Sequence, residues 1–299
     1  MTARDFPWPL LPNASRPTWT DRGFRVGDAD VAVLEYSGGE SGWSDGLTLM
    51  HEAAAGDDHP INQMSRRWAI DALRRHLPAP APVVLEVGCS SGFLLRDLQA
   101  AWPQALLIGS DFLAAPLERL ADRTAGLPLL QFDLVQCPLP DQCVDVVILL
   151  NVFEHIADDR AAAQQVARIL RPGGIAIVEL PAGPHLYDAY DAYLQHHRRY
   201  SAKSIASLLT VAGLDIREQS HLGCAVYPAF AYAKRRRHAL DTGAPDANQR
   251  RVEAQVTQTR NSRLLRRVLQ CEAWLGRYLS FPFGIRCVTV ARKPAGAVA

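Results

Sequence analysis

The chain has 299 residues, is 48% apolar and 21% charged, and carries 20 Gly and 20 Pro, a composition that excludes collagen-like, disordered and disulfide-scaffold classes. Its formal charge of +1 offers no global field to a polyanionic partner, so nucleic-acid binding is not expected. Apolar runs such as 146–150 and 175–178 fall far short of the roughly 18 residues of a membrane span. No apolar leader follows Met1-Thr2-Ala3-Arg4-Asp5, so the expected compartment is the cytoplasm.

In chain order, residues 1–77 lack a clean alternation of strands and helices. Polar, Pro-rich sequence runs to about Asp30; then a strand is predicted over 31–36, a Gly/Ser loop over 37–42, and helices near 45–55 and 61–77. Gly56 suits the end of the first helix and Pro60 the start of the second. Pro78-Ala79-Pro80-Ala81-Pro82 reads as a stiff linker that closes this N-terminal cap. Trp43, His51, His59 and Trp68 either form a lid over a cleft or pack the cap onto the sheet.

From Val83 the grammar changes. Strands predicted over 83–87, 105–110, 129–132, 144–150 and 175–180 alternate with helices near 93–101, 115–125, 159–170 and 201–212. Near-continuous apolar strands between helices imply a parallel sheet covered on both faces. Arg171-Pro172-Gly173-Gly174 is the turn into the fifth strand. A core over 83–226 thus gains a further strand near 214–221. A helical insertion over 227–279 comes next, and 280–299 supplies the last strand, near 285–291, and a tail.

The first core strand runs into Glu86-Val87-Gly88-Cys89-Ser90-Ser91-Gly92-Phe93. Glycines at a strand end let main chain approach a ligand, and the next helix offers free N–H groups at its start. A dinucleotide fingerprint needs G-x-G-x-x-G, but Ser90 stands at the second glycine position. Glu86 would sit poorly beside a pyrophosphate and well beside an amino-acid ammonium, which favours S-adenosylmethionine (SAM) over NAD. Asp111, followed by Phe112, closes the second strand, where a carboxylate can accept ribose hydroxyls. Asp133, followed by Leu134, closes the third and can accept from an adenine amine; Asn151-Val152-Phe153-Glu154-His155-Ile156 comes after the fourth. All lie at the strand ends where open α/β sheets bind ligands.

Glu86–Gly92, Ser110-Asp111, Phe132-Asp133, 151–156 and 170–174 together resemble the class I SAM-dependent methyltransferases, nearest to the small-molecule group that resembles ubiquinone-biosynthesis enzymes. The resemblance covers about 83–223 and returns at the last strand. It implies an α/β, Rossmann-like fold with a seven-stranded sheet whose last strand is antiparallel. It also implies a cofactor site of Glu86, Gly88, Cys89, Ser90, Gly92, Asp111, Phe112, Asp133, Leu134 and Asn151, with Glu86 and Gly88 at the methionine, Asp111 at the ribose, and Asp133 with Leu134 at the adenine. Ser90 departs from the glycine that many members carry.

Methyl transfer requires an acceptor held in line with the methyl group and, for some acceptors, removal of a proton. The candidate bases are His155 and His196 or its neighbour His197, and His155 can alternatively serve only to orient its loop. Gln195-His196-His197-Arg198-Arg199-Tyr200 resembles an element found in a branch associated with glycan or lipid-linked acceptors; alternatively its last residues only lead into Ser201, a fitting helix N-cap. No Asn/Asp-Pro-Pro-aromatic sequence stands after the fourth strand, which argues against methylation of nucleobase amines. The six cysteines show neither CxxC nor zinc-ligand spacing, Glu179 alone is weak support for a catechol-type metal site, and Asp57-Asp58-His59 reads as a polar turn, so no metal is expected.

The insertion holds 11 Lys and Arg against 4 Asp and Glu over 234–277. Aromatic residues beside Lys234-Arg235-Arg236-Arg237 suit a peripheral membrane contact through 227–240, or the cations simply complement a helix C-terminus. Leu264, Leu265, Val268, Leu269, Leu275 and Leu279 mark an apolar face that could cover the sheet, line the acceptor pocket or join a homodimer. The reading is methyl transfer to oxygen or nitrogen of a small-molecule acceptor. A lipid-linked glycan, RNA or protein acceptor, and a SAM-binding protein without turnover, remain as alternatives.

Overall fold

A computed structural model describes residues 1–11, 15–36, 57–77, 80–124, 126–238 and 262–295. The expected helix at 45–55, the loop at 37–42, Trp43 and His51 lie outside the described residues. Three short strands, β1 (Thr18–Trp19), β2 (Phe24–Val26) and β3 (Ala29–Val31), form a small antiparallel sheet. Strand β4 (Val33–Glu35) and helix α1 (Pro60–His76) complete the N-terminal part.

The core then runs β5 (Val83–Val87), α2 (Phe93–Ala101), β6 (Leu106–Asp111), α3 (Ala114–Arg123), β7 (Leu129–Gln131), β8 (Val144–Leu150), α4 (Asp159–Ile169) and β9 (Leu170–Pro181). After it come α5 (Ala189–Tyr193), α6 (Ala202–Val211), β10 (Asp215–Leu222), α7 (Tyr227–His238), α8 (Arg263–Leu275) and β11 (Arg286–Arg292). The sheet order is β10-β11-β9-β8-β5-β6-β7-β4. Strand β11 runs antiparallel to both neighbours, and the other paired strands run parallel. All seven expected strands are present, and the last is antiparallel.

The eighth strand corrects the count. Residues 33–35 leave the N-terminal part and pair in parallel with β7, from Val33 opposite Leu129 to Glu35 opposite Gln131. Leu34 is fully buried there, and Trp8, Trp19 and Phe24 pack behind it in the same apolar cluster as Phe132. The expected cap is therefore partly a sheet edge.

Helix α1 is a covering layer as well. Pro60 occupies its first turn, where a missing N–H costs nothing. Ala69, Ala72 and Leu73 recur at helical spacing and join Leu94, Leu95 and Leu98 of α2 over Val84 and Val146. The opposite sheet face carries Val83, Leu85 and Val87 with Val147, Leu149 and the α4 residues Ala162 and Val166. Alternate residues of β5 thus enter two different cores, as a central parallel strand requires.

Candidate functional site

The turn after β5 is shaped by main-chain conformation. Gly88 (φ +72°) and Gly92 (φ +70°) both occupy the left-handed region. A Cβ on Gly88 would lie 2.9 Å from Val152 Cγ2, and one on Gly92 would lie 2.5 Å from Leu120 Cδ1, so both positions demand glycine. Ser90 also has positive φ, at +46°, which is the conformation that explains the glycine of the related pattern. Its N–H donates to Asp111 Oδ2 at 3.0 Å, and the Leu113 N–H donates to Oδ1 at 3.1 Å. Asp111 therefore binds two turns together at the end of β6.

The remaining expected cofactor residues follow β5, β6, β7 and β8 at the carboxyl ends of these parallel strands. The Cys89 side chain is buried in the core, so its contribution is main chain: its N–H donates to Ser110 O and its carbonyl accepts from Gly92. Phe112 offers its carbonyl to Gln131 Nε2 at 3.1 Å. Asp133 caps a short 3-10 turn, accepting from the Val135 N–H at 2.9 Å, and Leu134 is buried at that turn's start. Asn151 (φ +56°) comes directly after β8; its side-chain amide donates to Glu179 Oε1 at 3.2 Å.

Glu86 is the electrostatic oddity of this half. It is buried, its Oε2 has no hydrogen-bond partner, and burial, then the Asp111 charge, push its pKa well above the ordinary carboxylate range. Arg66 pulls the other way from α1, but that guanidinium is bonded to Asp97 and Asp57.

A second group gathers beyond β8 and β9. Glu154 is fully enclosed, neither of its oxygens has a hydrogen-bond partner, and burial raises its pKa to about 8. The His155 and His196 rings meet edge to face with centroids 4.8 Å apart, so the structure brings these two candidate bases together. His196 Nδ1 lies 3.0 Å from Asp191 Oδ1. Burial lowers the His196 pKa, against the opposing pull of Asp191.

Sequence reasoning missed Asp191. It is 1% exposed at its side chain and accepts from Arg199 Nη1 at 2.9 Å and Lys234 Nζ at 2.6 Å. Burial alone would raise its pKa; His196, Arg199 and Lys234 together hold it well below the usual carboxylate range. Asp188 and Asp191 make a capping box on α5, and that i, i+3 pair was the available signal. Lys234 requires a correction: it is not part of a solvated basic cluster, because its side chain is 4% exposed and bonded to both Asp188 (2.5 Å) and Asp191. Arg235 and Arg236 are exposed.

The residues after His196 are structural supports for this loop. Arg199 Nε donates to Ala182 O, Tyr200 OH donates to Asp159 Oδ2 at 2.7 Å, and Arg198 pairs with Asp159 at 2.7 Å. Ser201 then caps α6 through a capping box with Ser204. Glu179, also fully buried, takes Arg286 Nη1 at 2.6 Å, and Arg286 reaches Ser65 and Asn62 of α1 as well. His59 precedes α1 and is buried; Trp68 packs between two apolar clusters. Among the described residues no helix is long and apolar enough to cross a membrane.

Comparison with known proteins finds a family model described as a methyltransferase domain over residues 85–178. A probable S-adenosylmethionine-dependent methyltransferase of Mycolicibacterium smegmatis is 31% identical over 45% of this chain and 52% of its own length. The ubiquinone/menaquinone biosynthesis C-methyltransferase UbiE of Syntrophotalea carbinolica is 28% identical over 44% of this chain and 59% of its own. The match therefore spans between about half and six-tenths of these relatives. Among solved structures, Haemonchus contortus phosphoethanolamine N-methyltransferase 2 in complex with S-adenosyl-L-methionine shares the fold, with TM-score 0.52, 18% identity, and coverage of 84% of this chain and 57% of that one.

Proposed function

We propose that the chain, which is similar to a methyltransferase domain over residues 85–178 and to a probable S-adenosylmethionine-dependent methyltransferase, is a class I SAM-dependent methyltransferase that transfers the SAM methyl group to an oxygen or nitrogen of a small-molecule acceptor. The carrying observation is the buried Glu86 carboxylate, whose Oε2 lacks a partner beside the Gly88 turn. An amino-acid ammonium satisfies that oxygen and lets the carboxylate ionise. Asp111 is poised to receive ribose hydroxyls while its oxygens hold Ser90 and Leu113, and Asp133 with Leu134 borders the adenine end.

Bound SAM supplies an electrophilic methyl on a sulfonium; the acceptor lone pair forms the new bond as the carbon–sulfur bond breaks, and S-adenosylhomocysteine leaves. The chain's own task is placement and proton handling. Val152 packs against the Gly88 turn, and in this reading the methyl-bearing end of SAM lies near Glu154 and His155, two and three residues on. His155 and His196, whose ring centroids lie 4.8 Å apart, would take the proton of an acceptor O–H or N–H. Relatives and neighbours include a C-methyltransferase and an N-methyltransferase, so the acceptor atom is assigned here from the histidines alone.

Calorimetric titration of SAM against wild type and Asp111→Ala tests the cofactor half. Wild type should bind, and the variant should bind about tenfold to a hundredfold more weakly, the loss expected for hydrogen bonds to a charged group. A folded wild type that ignores SAM would sink the proposal.

A further inference from the structure

We propose that Glu154, His155 and His196 form a binding site for a divalent transition-metal ion of the zinc type at the acceptor end of the cleft. One ligating atom from each residue lies within 4.8 Å of the other two. A tetrahedral ion about 2.0–2.2 Å from each donor holds such atoms about 3.4 Å apart, so binding draws the three side chains slightly inward.

Three observations point to a cation at this place. First, both oxygens of Glu154 are buried without a hydrogen-bond partner, and a buried carboxylate needs one or a compensating charge. The arginines that influence it, Arg286 and Arg199, spend their hydrogen bonds on Glu179, Ser65 and Asn62 and on Asp191 and Ala182. Second, Asp191 holds His196 through Nδ1, which leaves Nε2 as the ligating nitrogen. An imidazole oriented by a carboxylate in this way is the usual arrangement for a metal-binding histidine. Third, two imidazoles and one carboxylate are a donor set suited to zinc and its transition-metal neighbours, whereas calcium and magnesium prefer oxygen throughout.

Metal binding stands apart from the methyl-transfer reading; its consequence rests on that reading. Three protein ligands leave a fourth position for an acceptor oxygen, and a metal-bound hydroxyl sheds its proton to solvent without a histidine base. His196 would then be a ligand, and the base role proposed above would lapse.

The full chain, treated with chelator and dialysed, is titrated with Zn2+ by calorimetry and with Co2+ by visible absorption. Cys271→Ser is carried in every protein, because Cys271 is exposed. One equivalent should bind with nitrogen and oxygen ligation. Glu154→Gln and His196→Gln should each lose affinity by about a hundredfold, and Asp191→Asn by about ten- to a hundredfold. Metal-free Glu154→Gln should melt no lower than wild type, which separates ligand loss from misfolding. No stoichiometric binding, affinity unchanged in the glutamine variants, or a cobalt spectrum dominated by thiolate would each overturn the site. SAM titration of the same metal-free protein is a separate arm: its failure beside intact metal binding would remove the cofactor reading and leave the metal site.

Discussion

At the ends of β5, β6 and β7 the cleft is held by main chain: left-handed turns at Gly88, Ser90 and Gly92, with Asp111 accepting from two backbone N–H groups. Beyond β8 and β9 it is held by buried charge: Asp188 and Asp191 from α5, Arg199 from the following loop and Lys234 from α7. The first half draws on short stretches of sequence, and its backbone turns set the carboxylates proposed to meet the cofactor. The second is assembled from segments more than forty residues apart and presents side chains. Under the proposed function the first half meets the cofactor and the second meets the acceptor.

The most demanding test of this contrast is Lys234→Met. It leaves Asp188 and Asp191 buried without their ammonium partner. Removing one member of a buried pair costs about 3–5 kcal/mol, and the lower figure is expected because Arg199 still faces Asp191. Urea melts read the loss. In the folded fraction SAM affinity should match wild type; a matching fall in SAM affinity would mean the two halves are one unit.

Gly92→Ala attacks the other half. Its Cβ would meet Leu120, which is 1% exposed and cannot swing aside, in a left-handed conformation. We expect a loss of about 1–3 kcal/mol together with weaker SAM binding. Gly213→Ala, also left-handed at φ +90° but with open space around it, isolates the backbone part and should leave SAM binding alone.

The two halves also differ in how far sequence reveals them. Strand β5 and helix α2 fall at 83–87 and 93–101, where the sequence places them, because apolar runs and helical periodicity are local properties. The serine at 90 was visible as a missing glycine, and its positive φ gives the physical reason. The strand at 33–35 falls within the one expected over 31–36, but its pairing with β7 was not visible, because the partner lies about a hundred residues away. Lys234 sits in a run of four cations, where charge patterning suggests a solvated face. Only the fold brings the α5 carboxylates to it. The convergence of His155 with His196 has the same origin, a loop after β9 folded back over the end of β8.

The pH dependence of the cofactor half is set by Glu86. Its folded pKa is raised, first by burial and then by Asp111, so between the ordinary carboxylate pKa and the raised one the folded state binds more protons than the unfolded state. Stability then falls as pH rises through that window, since its slope follows protons bound unfolded minus folded. Glu86→Gln should flatten this part of the profile in thermal melts across pH. In wild type, SAM binding should release protons within the window as the ammonium ionises Glu86. Calorimetry in buffers of different ionisation enthalpy reads that release, and a buffer-independent enthalpy would mean the carboxylate stays protonated against the ligand.

The smallest effect is expected from Ser90→Gly. A non-glycine residue in the left-handed region carries a penalty of about 1–2 kcal/mol, while glycine in its place adds about 0.5–1 kcal/mol of chain entropy cost to folding. The two largely offset, so stability should rise by no more than about 1.5 kcal/mol. The Ser90 N–H, which donates to Asp111, is kept by glycine. SAM affinity should therefore also be kept. If the turn works through main chain, this substitution is at most mildly stabilising in melts and silent in titrations, while Ser90→Val, which keeps the N–H but adds a β-branched side chain at φ +46°, destabilises and weakens binding. Loss of SAM affinity in Ser90→Gly would instead assign the hydroxyl a direct contact and make this turn, like the far side of the cleft, a site built from side chains.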